Sequence, residues 1–140
     1  SEPKLKPIIF VDYMQIIRGD FLQQNRTEVV GQISNDLKQM AKEFDCQVVC
    51  LSQLNRGVEA RDNKRPLMSD LRDSGNLEQD ADVIIFLYRD DYYDKQTKRQ
   101  NQLELSIAKH RNGPTGTVTV RYVKETGIRY DLDLQTERVG

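Results

Sequence analysis

Three stretches near the start of the chain have the apolar patterns of an alternating α/β fold. Ile8–Val11 and residues 48–51 are apolar without alternation and rich in β-branched residues, which predicts strands covered on both faces. Between them, residues 27–44 carry an apolar residue at every third or fourth position, which predicts an amphipathic helix. Asn25 or Thr27 is suited to cap it. The three segments predict a βαβ unit and a parallel sheet.

The pattern changes after a third apolar run, Val83–Tyr88. Residues 89–101 are almost wholly polar and predict an exposed loop or an insertion. Antiparallel strands are predicted at residues 103–109, 117–123 and 128–134, and the turns at residues 112–116 and 125–127 contain the glycines that tight reversals with positive φ favour. We expect one α/β domain over residues 1–140, with a parallel sheet core flanked by helices and a C-terminal antiparallel β-hairpin region.

The composition excludes several classes of protein. With 21 Lys and Arg against 22 Asp and Glu, the formal net charge is −1, so the chain is not a strongly basic nucleic-acid tail. The longest apolar run has six residues, against the roughly 20 that a membrane helix needs. We therefore expect no membrane association and a cytoplasmic location. Cys46 and Cys50 lie too far apart along one strand for a disulfide, and a single His gives no support to a zinc site.

Charge is unevenly distributed along the chain. Residues 78–94 hold six acidic residues and one basic residue, and residues 104–129 hold five basic and two acidic residues. The near-neutral total therefore conceals an acidic and a basic segment. The first seven residues contain no Met and lead directly into an apolar strand, so we expect the chain to be a fragment of a longer one.

Polar residues that follow apolar strands are the first candidates for chemistry, because ligands of open parallel sheets bind beyond the carboxyl ends of the strands. Asp12 closes the first strand in the manner of the Walker-B Asp that holds Mg²⁺ near nucleotide phosphates. Gln53 follows the second strand and is suited to orient a phosphate-linked water. Each also has a plainer interpretation, Asp12 as a turn or helix-cap carboxylate and Gln53 as a loop cap.

Lys109 and Arg111 form a candidate phosphate clamp at the end of another predicted strand. They are two residues apart, so they share a face if the strand geometry persists. Two cations aimed together beside a Gly-Pro turn suit an oxyanion or a phosphate. A solvated pair on a hairpin fits the same pattern.

Residues 69–75 combine hydroxyls, an Arg and a Gly, and the cations Arg61, Lys64 and Arg65 precede them. This composition is compatible with a loop that follows the phosphates of a nucleic-acid backbone, and equally with a solvated charged surface. One signature is absent from these 140 residues: none of the eight glycines is followed by Lys, so the Gly-Lys-Ser/Thr end of a P-loop is missing. We expect the phosphate cradle of any nucleotide site to lie outside this chain.

Six segments, in order, resemble the C-terminal, RecA-like motor domain of the DnaB-type replicative DNA helicases. They are FVDYMQ at residues 10–15, LSQLNR at 51–56, KRPLMSDLRDSG at 64–75, EQDAD at 78–82, FLYRD at 86–90 and AKHRNGPTG at 108–116. The resemblance runs over most of the chain, and the combination of Ser-Gln-Leu-Asn-Arg, Gln-Asp-Ala-Asp and Arg-Asn-Gly-Pro is highly specific. It implies that the chain is part of a RecA-like fold.

The resemblance also implies a function and roles for individual residues. The family forms homo-hexameric rings that encircle single-stranded DNA and unwind the duplex with ATP and Mg²⁺, and a primase and a helicase loader are implied as partners. Asp12 is implied as the Walker-B carboxylate and metal ligand, and Gln53 as the phosphate-linked Gln. Lys109 and Arg111 are implied as cations that reach the neighbouring subunit's γ-phosphate, and Arg89 as a further nucleotide-site residue.

Two loops resemble the DNA-facing loops of the family. One runs from Arg72 through Asp73 to Gly75, and the other spans residues 19–26 and ends at Arg26. The family usually has Glu where Asp73 stands, a shortening by one methylene that keeps the charge but reduces its reach. The P-loop, the catalytic Glu near it and the N-terminal collar are absent from this sequence, so the fragment alone is expected not to hydrolyse ATP.

Two other functions compete with the helicase interpretation. One is another RecA-fold ATPase, such as a recombinase or a clock-type ATPase, which should lack Ser-Gln-Leu-Asn-Arg and Arg-Asn-Gly-Pro together. The other is a non-catalytic DNA-binding or oligomerisation module that kept the fold and lost the motor.

Overall fold

The computed structural model describes residues 5–17, 25–74 and 76–131, without the side chains of residue 26 and residues 72–74. Its strands and α-helices are β1 (Ile8–Val11), α1 (Arg26–Glu43), β2 (Gln47–Cys50), α2 (Leu77–Asp80), β3 (Val83–Tyr88), α3 (Asp90–Tyr93), β4 (Gln102–His110), β5 (Gly116–Tyr122) and β6 (Arg129–Asp131). Three 3₁₀ helices span Met14–Ile16, Arg56–Ala60 and Met68–Ser74. The chain divides into two compact units, the first containing β1 through α2 and the second containing residues 65–67 and β3 through β6.

The first unit is a parallel strand pair with a helix between the strands. β1 and β2 pair in parallel from Ile8 opposite Gln47 to Val11 opposite Cys50, which confirms the predicted βαβ unit. The buried residues Met14, Val30 and Ile33 form its core, because the apolar stripe of α1 packs on the turn that follows β1. The N-terminal cap of α1 is Asn25, whose side chain accepts the backbone N–H of Glu28 at 3.0 Å.

The second unit is a four-stranded antiparallel sheet in the order β3-β4-β5-β6. The strands predicted at residues 103–109 and 117–123 are confirmed within one residue at each end. The third predicted strand, at residues 128–134, is observed as β6, and its last three residues lie outside the described ranges. The register shifts between Ile84 and Ile85, whose partners are Lys109 and Ile107, so Ala108 is an extra residue in β4.

The prediction that residues 89–101 form an exposed loop is wrong in one respect. The segment contains the short helix α3, and the side chain of Asp91 within it is fully buried. Burial of this carboxylate is tolerated because Arg89, Lys124 and the backbone N–H of Asn101 all bind it. The polar sequence therefore folds around a buried charge.

The glycine turns are also only partly as predicted. Gly127 has a positive φ of 68°, as expected of a tight reversal. Gly113 does not have positive φ. A Cβ there would overlap the imidazole of His110, so a side chain at this position would have to displace that ring. Within residues 5–17, 25–74 and 76–131, no helix is both long and apolar enough to cross a membrane.

Candidate functional site

Asp12 and Gln53 both lie beyond the carboxyl ends of the parallel strands β1 and β2. Val11 is opposite Cys50 in the register, and the backbone N–H of Leu51 donates to the carbonyl of Val11 at 2.9 Å. The next bond, from the N–H of Met14 to the carbonyl of Leu51 at 2.9 Å, ties the turn after β1 to the residues after β2. The strands therefore deliver both candidate side chains, which are exposed, to one place in the first unit.

Gln15 holds the backbone beside Gln53. Its amide Nε2 donates to Oγ of Ser52 at 2.9 Å and to the carbonyl of Gln53 at 3.4 Å, and its Oε1 accepts the N–H of Gln53 at 3.2 Å. A side-chain amide that both donates to and accepts from one backbone residue fixes the position of that residue. Sequence reasoning missed Gln15 as a site residue, although it closes the FVDYMQ segment.

Lys109 and Arg111 lie at the end of β4, in the second unit. β4 ends at His110, so Arg111 is in the turn. The strand alternation that would place both cations on one face stops one residue before Arg111. The guanidinium of Arg111 pairs with Asp82 at 3.0 Å, with the two side chains 51% and 53% exposed. The N–H of Arg111 also donates to the carbonyl of Asp82 at 2.8 Å. The start of β3 thus holds the backbone of Arg111.

Arg89 is engaged inside the second unit. It pairs with the buried carboxylate of Asp91 at 3.1 Å, and its guanidinium carbon lies 4.3 Å from the centre of the Tyr122 ring. Burial opposes ionisation of Asp91, but hydrogen bonds from Lys124, Asn101 and Arg89 outweigh it and lower the pKa of the carboxyl to about 2. These contacts give Arg89 a structural role. Its predicted role in the nucleotide site stays a prediction.

The cations before the predicted DNA loop bind carboxylates. Arg61 makes a bidentate pair with Asp70, and Arg65 makes another with Glu104. The hydrogen bond with Asp70 raises the pKa of Arg61, and the hydrogen bond with Arg65 is the main cause that lowers the pKa of Glu104. The guanidinium groups of Arg61 and Arg65 are therefore held by carboxylates in this structure, and the interpretation that they track phosphates stays a prediction.

The predicted DNA-contact residues fall partly outside the described residues. Arg26 is the first residue of α1, and Arg72 and Asp73 lie in the 3₁₀ helix Met68–Ser74, but the side chains of all three are outside the description. Gly75 and residues 19–24 of the second predicted loop are outside it entirely. Their roles stay predictions.

The comparisons with known proteins begin with a family model. The model described as DnaB-like helicase C terminal domain matches residues 2–130. The chain belongs to this family. Among its relatives, the replicative DNA helicase DnaC of Bacillus subtilis (strain 168) is 50% identical over 134 residues, which are 95% of this chain and 30% of that protein. The replicative DNA helicase DnaB of Geobacillus stearothermophilus is 51% identical over 119 residues, 84% of this chain and 26% of that protein.

Solved structures agree with the fold. One, described as an ATPase domain, is 52% identical with a TM-score of 0.89 over 93% of this chain and 46% of that chain. A structure of a DnaB-like replicative helicase and its interactions with primase gives 52% identity and a TM-score of 0.89, over 93% of this chain and 31% of that chain. The predicted RecA-like fold class is confirmed. The chain spans less than a third of the length of the two curated relatives.

Family membership decides against one of the two alternatives that the sequence left open. The relatives are replicative DNA helicases, and the matched region includes every segment that carried the resemblance. A recombinase or clock-type ATPase is therefore not supported. Within this DnaB-like chain, Asp12 and Gln53 belong to the first unit, and Lys109, Arg111 and Arg89 belong to the second.

Proposed function

We propose that this chain is the C-terminal motor segment of a replicative DNA helicase, which hydrolyses ATP to unwind duplex DNA at the replication fork. The observation that carries the proposal is the parallel pairing of β1 with β2, which puts Asp12 and Gln53 at one sheet edge in a chain of the DnaB-like family. Because the chain spans under a third of its relatives, we assign the activity to the whole helicase and not to these 140 residues.

The residues of the strand-end edge fit a magnesium nucleotide. Mg²⁺ in such sites takes one or two protein carboxylates and completes its shell with phosphate oxygens and water, so the single exposed carboxylate of Asp12 is a suitable ligand. Among the described residues, no group of three or more His, Cys, Asp or Glu forms a metal site by itself. When bound, the ion supplies neutralisation of phosphate charge. Gln53, with its backbone held by Gln15, orients the attacking water.

Lys109 and Arg111 serve a neighbouring subunit. Negative charge that develops on a γ-phosphoryl group is stabilised by cations placed against it in advance. The Arg111 backbone is fixed to the start of β3, while its guanidinium stays half-exposed in a screened pair with Asp82. It can therefore exchange this carboxylate for a phosphate at little cost. Arg89 supports the nucleotide site from its anchored position beside Asp91.

The DNA-contact residues and the partners follow from the same proposal. Arg72, Asp73 and Gly75, with Arg26 on the second loop, contact single-stranded DNA in the central channel of a homo-hexamer. A primase partner is supported by the related helicase structure and its interactions with primase. A helicase loader is a further proposed partner. The proposed location is the cytoplasm, with no membrane association.

The test uses a chimeric helicase in which this chain replaces the matching segment of the Bacillus subtilis relative, to which it is 50% identical. We expect the chimera to assemble as a hexamer, to hydrolyse ATP with Mg²⁺ and to unwind a forked duplex, and we expect Asp12→Ala to abolish all turnover. An assembled chimera without nucleotide turnover would contradict the proposal and leave the non-catalytic module in its place.

The chain alone should not hydrolyse ATP. The backbone N–H groups and the Lys that hold phosphates in a P-loop are absent from its sequence, so it cannot position a nucleotide tightly. Magnesium-dependent turnover by the purified chain that disappears with Asp12→Ala would refute this part of the proposal.

A further inference from the structure

Arg61 and Asp70 form a well-aligned ion pair in the first unit. Two guanidinium nitrogens of Arg61 each lie 2.8 Å from a different carboxylate oxygen of Asp70. The Asp70 side chain is only 8% exposed, and that of Arg61 is 31% exposed. A bidentate pair with one buried member is geometrically specific, because the planar fork of the guanidinium matches the carboxylate in few orientations.

Asp70 is held a second time, through its backbone. Its carbonyl accepts the N–H of Asn55 at 3.0 Å, and the neighbouring Leu71 is buried. Asn55 stands two residues after Gln53 and caps the 3₁₀ helix Arg56–Ala60, accepting the N–H of Gly57 at 2.9 Å. The segment that follows β2 and the 3₁₀ helix Met68–Ser74 are therefore joined by one backbone bond and one bidentate ion pair.

These contacts form a closed loop of the chain, from Asn55 to Asp70, directly before the predicted DNA-contact segment that begins at Arg72. The chain leaves Asn55, passes Arg61 and reaches Asp70, and both Asn55 and Arg61 bind Asp70. Arg72 lies two residues beyond Asp70 in the same 3₁₀ helix. Whatever fixes Asp70 therefore restrains the backbone of Arg72.

We propose that Arg61 and Asp70 are positioning residues that hold the backbone of Arg72 in place to bind the single-stranded DNA backbone. The inference rests on the proposed function, since it takes Arg72 as a DNA contact. Arg61 acts through Asp70 and not on DNA, because two of its guanidinium nitrogens are bound to that carboxylate. The link through Asn55 also connects the DNA segment to the residues that follow Gln53.

The sign of the Asp70→Asn effect separates this role from direct phosphate binding. Removal of an acidic charge near DNA ordinarily strengthens binding, and it would do so here if Asp70 merely restrained a phosphate-binding Arg61. A positioning role predicts weaker binding, because the amide cannot accept both guanidinium bonds and the segment loosens.

The experiment measures oligo-dT affinity, DNA-stimulated ATPase and basal ATPase of the chimeric helicase. We expect Asp70→Asn to weaken binding about tenfold and to lower stimulation in parallel, with basal ATPase within about twofold of the parent. Arg61→Lys should fall between the parent and Arg61→Ala, because it keeps the charge and loses the fork. Unchanged or tighter binding by Asp70→Asn, or an equal fall in basal ATPase, would overturn the proposal.

The matched control is Asp45→Asn, which removes the same charge from an exposed pair with Lys6 elsewhere in the unit. It should leave DNA affinity within about twofold. If Asp70→Asn does not assemble, Arg61→Lys decides: weaker binding with normal basal ATPase supports the proposal, and parental binding overturns it. A parent chimera that neither binds oligo-dT nor responds to it contradicts the proposed function itself, whereas a responsive parent with an indifferent Asp70→Asn contradicts only this inference.

Discussion

The strand-end edge of the first unit and the cation-bearing sheet of the second hold their candidate residues by different means. At the strand-end edge, parallel backbone pairing and a neutral amide, Gln15, place Asp12 and Gln53. In the second unit, carboxylates accompany the candidate cations: Asp82 beside Arg111 and Asp91 beside Arg89. Two residues of the acidic segment, Asp82 and Asp91, pair with Arg111 and Lys124 of the basic segment within the second unit.

The difference shows that the way a candidate side chain is held depends on its charge. A nucleotide-facing carboxylate needs a fixed backbone and open solvent, which a strand end supplies. Before a phosphate binds, a carboxylate can keep a phosphate-binding cation ordered. The pair must be exposed to solvent, so that the phosphate can replace the carboxylate at little cost. Arg111 meets this condition, whereas Arg89, bound to a fully buried Asp91, does not. The half-exposed pair therefore favours a chemical role for Arg111, which stays a prediction, and Arg89 has an anchoring contact beside its predicted nucleotide-site role.

The largest expected effect separates Arg111 from a surface cation. In the chimeric helicase, Arg111→Ala should lower ATP turnover by about 10³–10⁵-fold and abolish unwinding, because it removes the guanidinium proposed to meet the developing γ-phosphate charge beside Lys109. Nucleotide binding and hexamer assembly should persist, as judged by fluorescent nucleotide titration and sizing.

A mixing experiment is the control for action in trans. Hexamers mixed from Arg111→Ala and Asp12→Ala subunits should regain part of the activity, at interfaces where an intact Asp12 faces an intact Arg111. Turnover by Arg111→Ala hexamers at close to the parental rate would show that the residue is a solvated hairpin cation.

The next effect tests the buried carboxylate of Asp91, which binds Arg89 and Lys124. Asp91→Asn should destabilise the second unit by roughly 3 kcal/mol, because it leaves Arg89 and Lys124 beside a buried neutral group. Urea denaturation of the chain followed by circular dichroism measures the loss. The exposed control Asp36→Asn on α1 should change the free energy of unfolding by less than about 0.5 kcal/mol. Equal effects of the two changes would show that the Asp91 carboxylate does not stabilise the second unit.

Acid should weaken the second unit in the same way. The pKa of Asp91 is lowered to about 2, and those of Asp90 and Glu104 are lowered as well. A carboxyl whose pKa is lower in the folded state contributes stability above its unfolded pKa, near 4, and that stability is lost as pH falls toward the folded pKa. The free energy of unfolding should therefore be level near neutrality and fall from about pH 5 toward pH 2. With Asp91→Asn the fall should be smaller; an unaltered pH profile would contradict the assignment.

The amide at the strand-end edge should have a moderate effect. Gln15→Ala in the chimeric helicase removes the bonds to the backbone of Gln53, and we expect ATP turnover to fall about tenfold with KM within about twofold. Gln39→Ala, on an exposed position of α1, is the control and should be neutral. A rise in KM without a change in turnover would assign Gln15 to nucleotide binding instead.

The smallest effect concerns Asp82. Its pair with Arg111 is half-exposed and screened, and the bond from the N–H of Arg111 to the carbonyl of Asp82 survives substitution of the side chain. Asp82→Asn should therefore change ATP turnover of the chimera by less than about threefold. A loss above about tenfold would mean that the carboxylate, and not the backbone, positions Arg111.

Much of the fold could be predicted because it depends on short-range patterns. The apolar runs at Ile8–Val11 and Val83–Tyr88 are observed as β1 and β3, and the periodic segment is observed as α1 with a one-residue difference at each end. The expected single domain stays a prediction beside the two compact units. The strand-end positions of Asp12 and Gln53 could be predicted because ligands of open parallel sheets bind beyond the carboxyl ends of the strands.

The sequence by itself determined the family, the βαβ unit and the strand-end position of Asp12 and Gln53, since periodicity and motif order are local properties of the chain. Only the tertiary structure decided the partners of the charged residues. Arg61 with Asp70, Arg65 with Glu104 and Lys124 with Asp91 are 9, 39 and 33 residues apart, and any carboxylate is chemically acceptable to any guanidinium or ammonium group. The choice among them is made by which strands and turns pack together, because an ion pair depends on distance and burial and carries no sequence signature of its own.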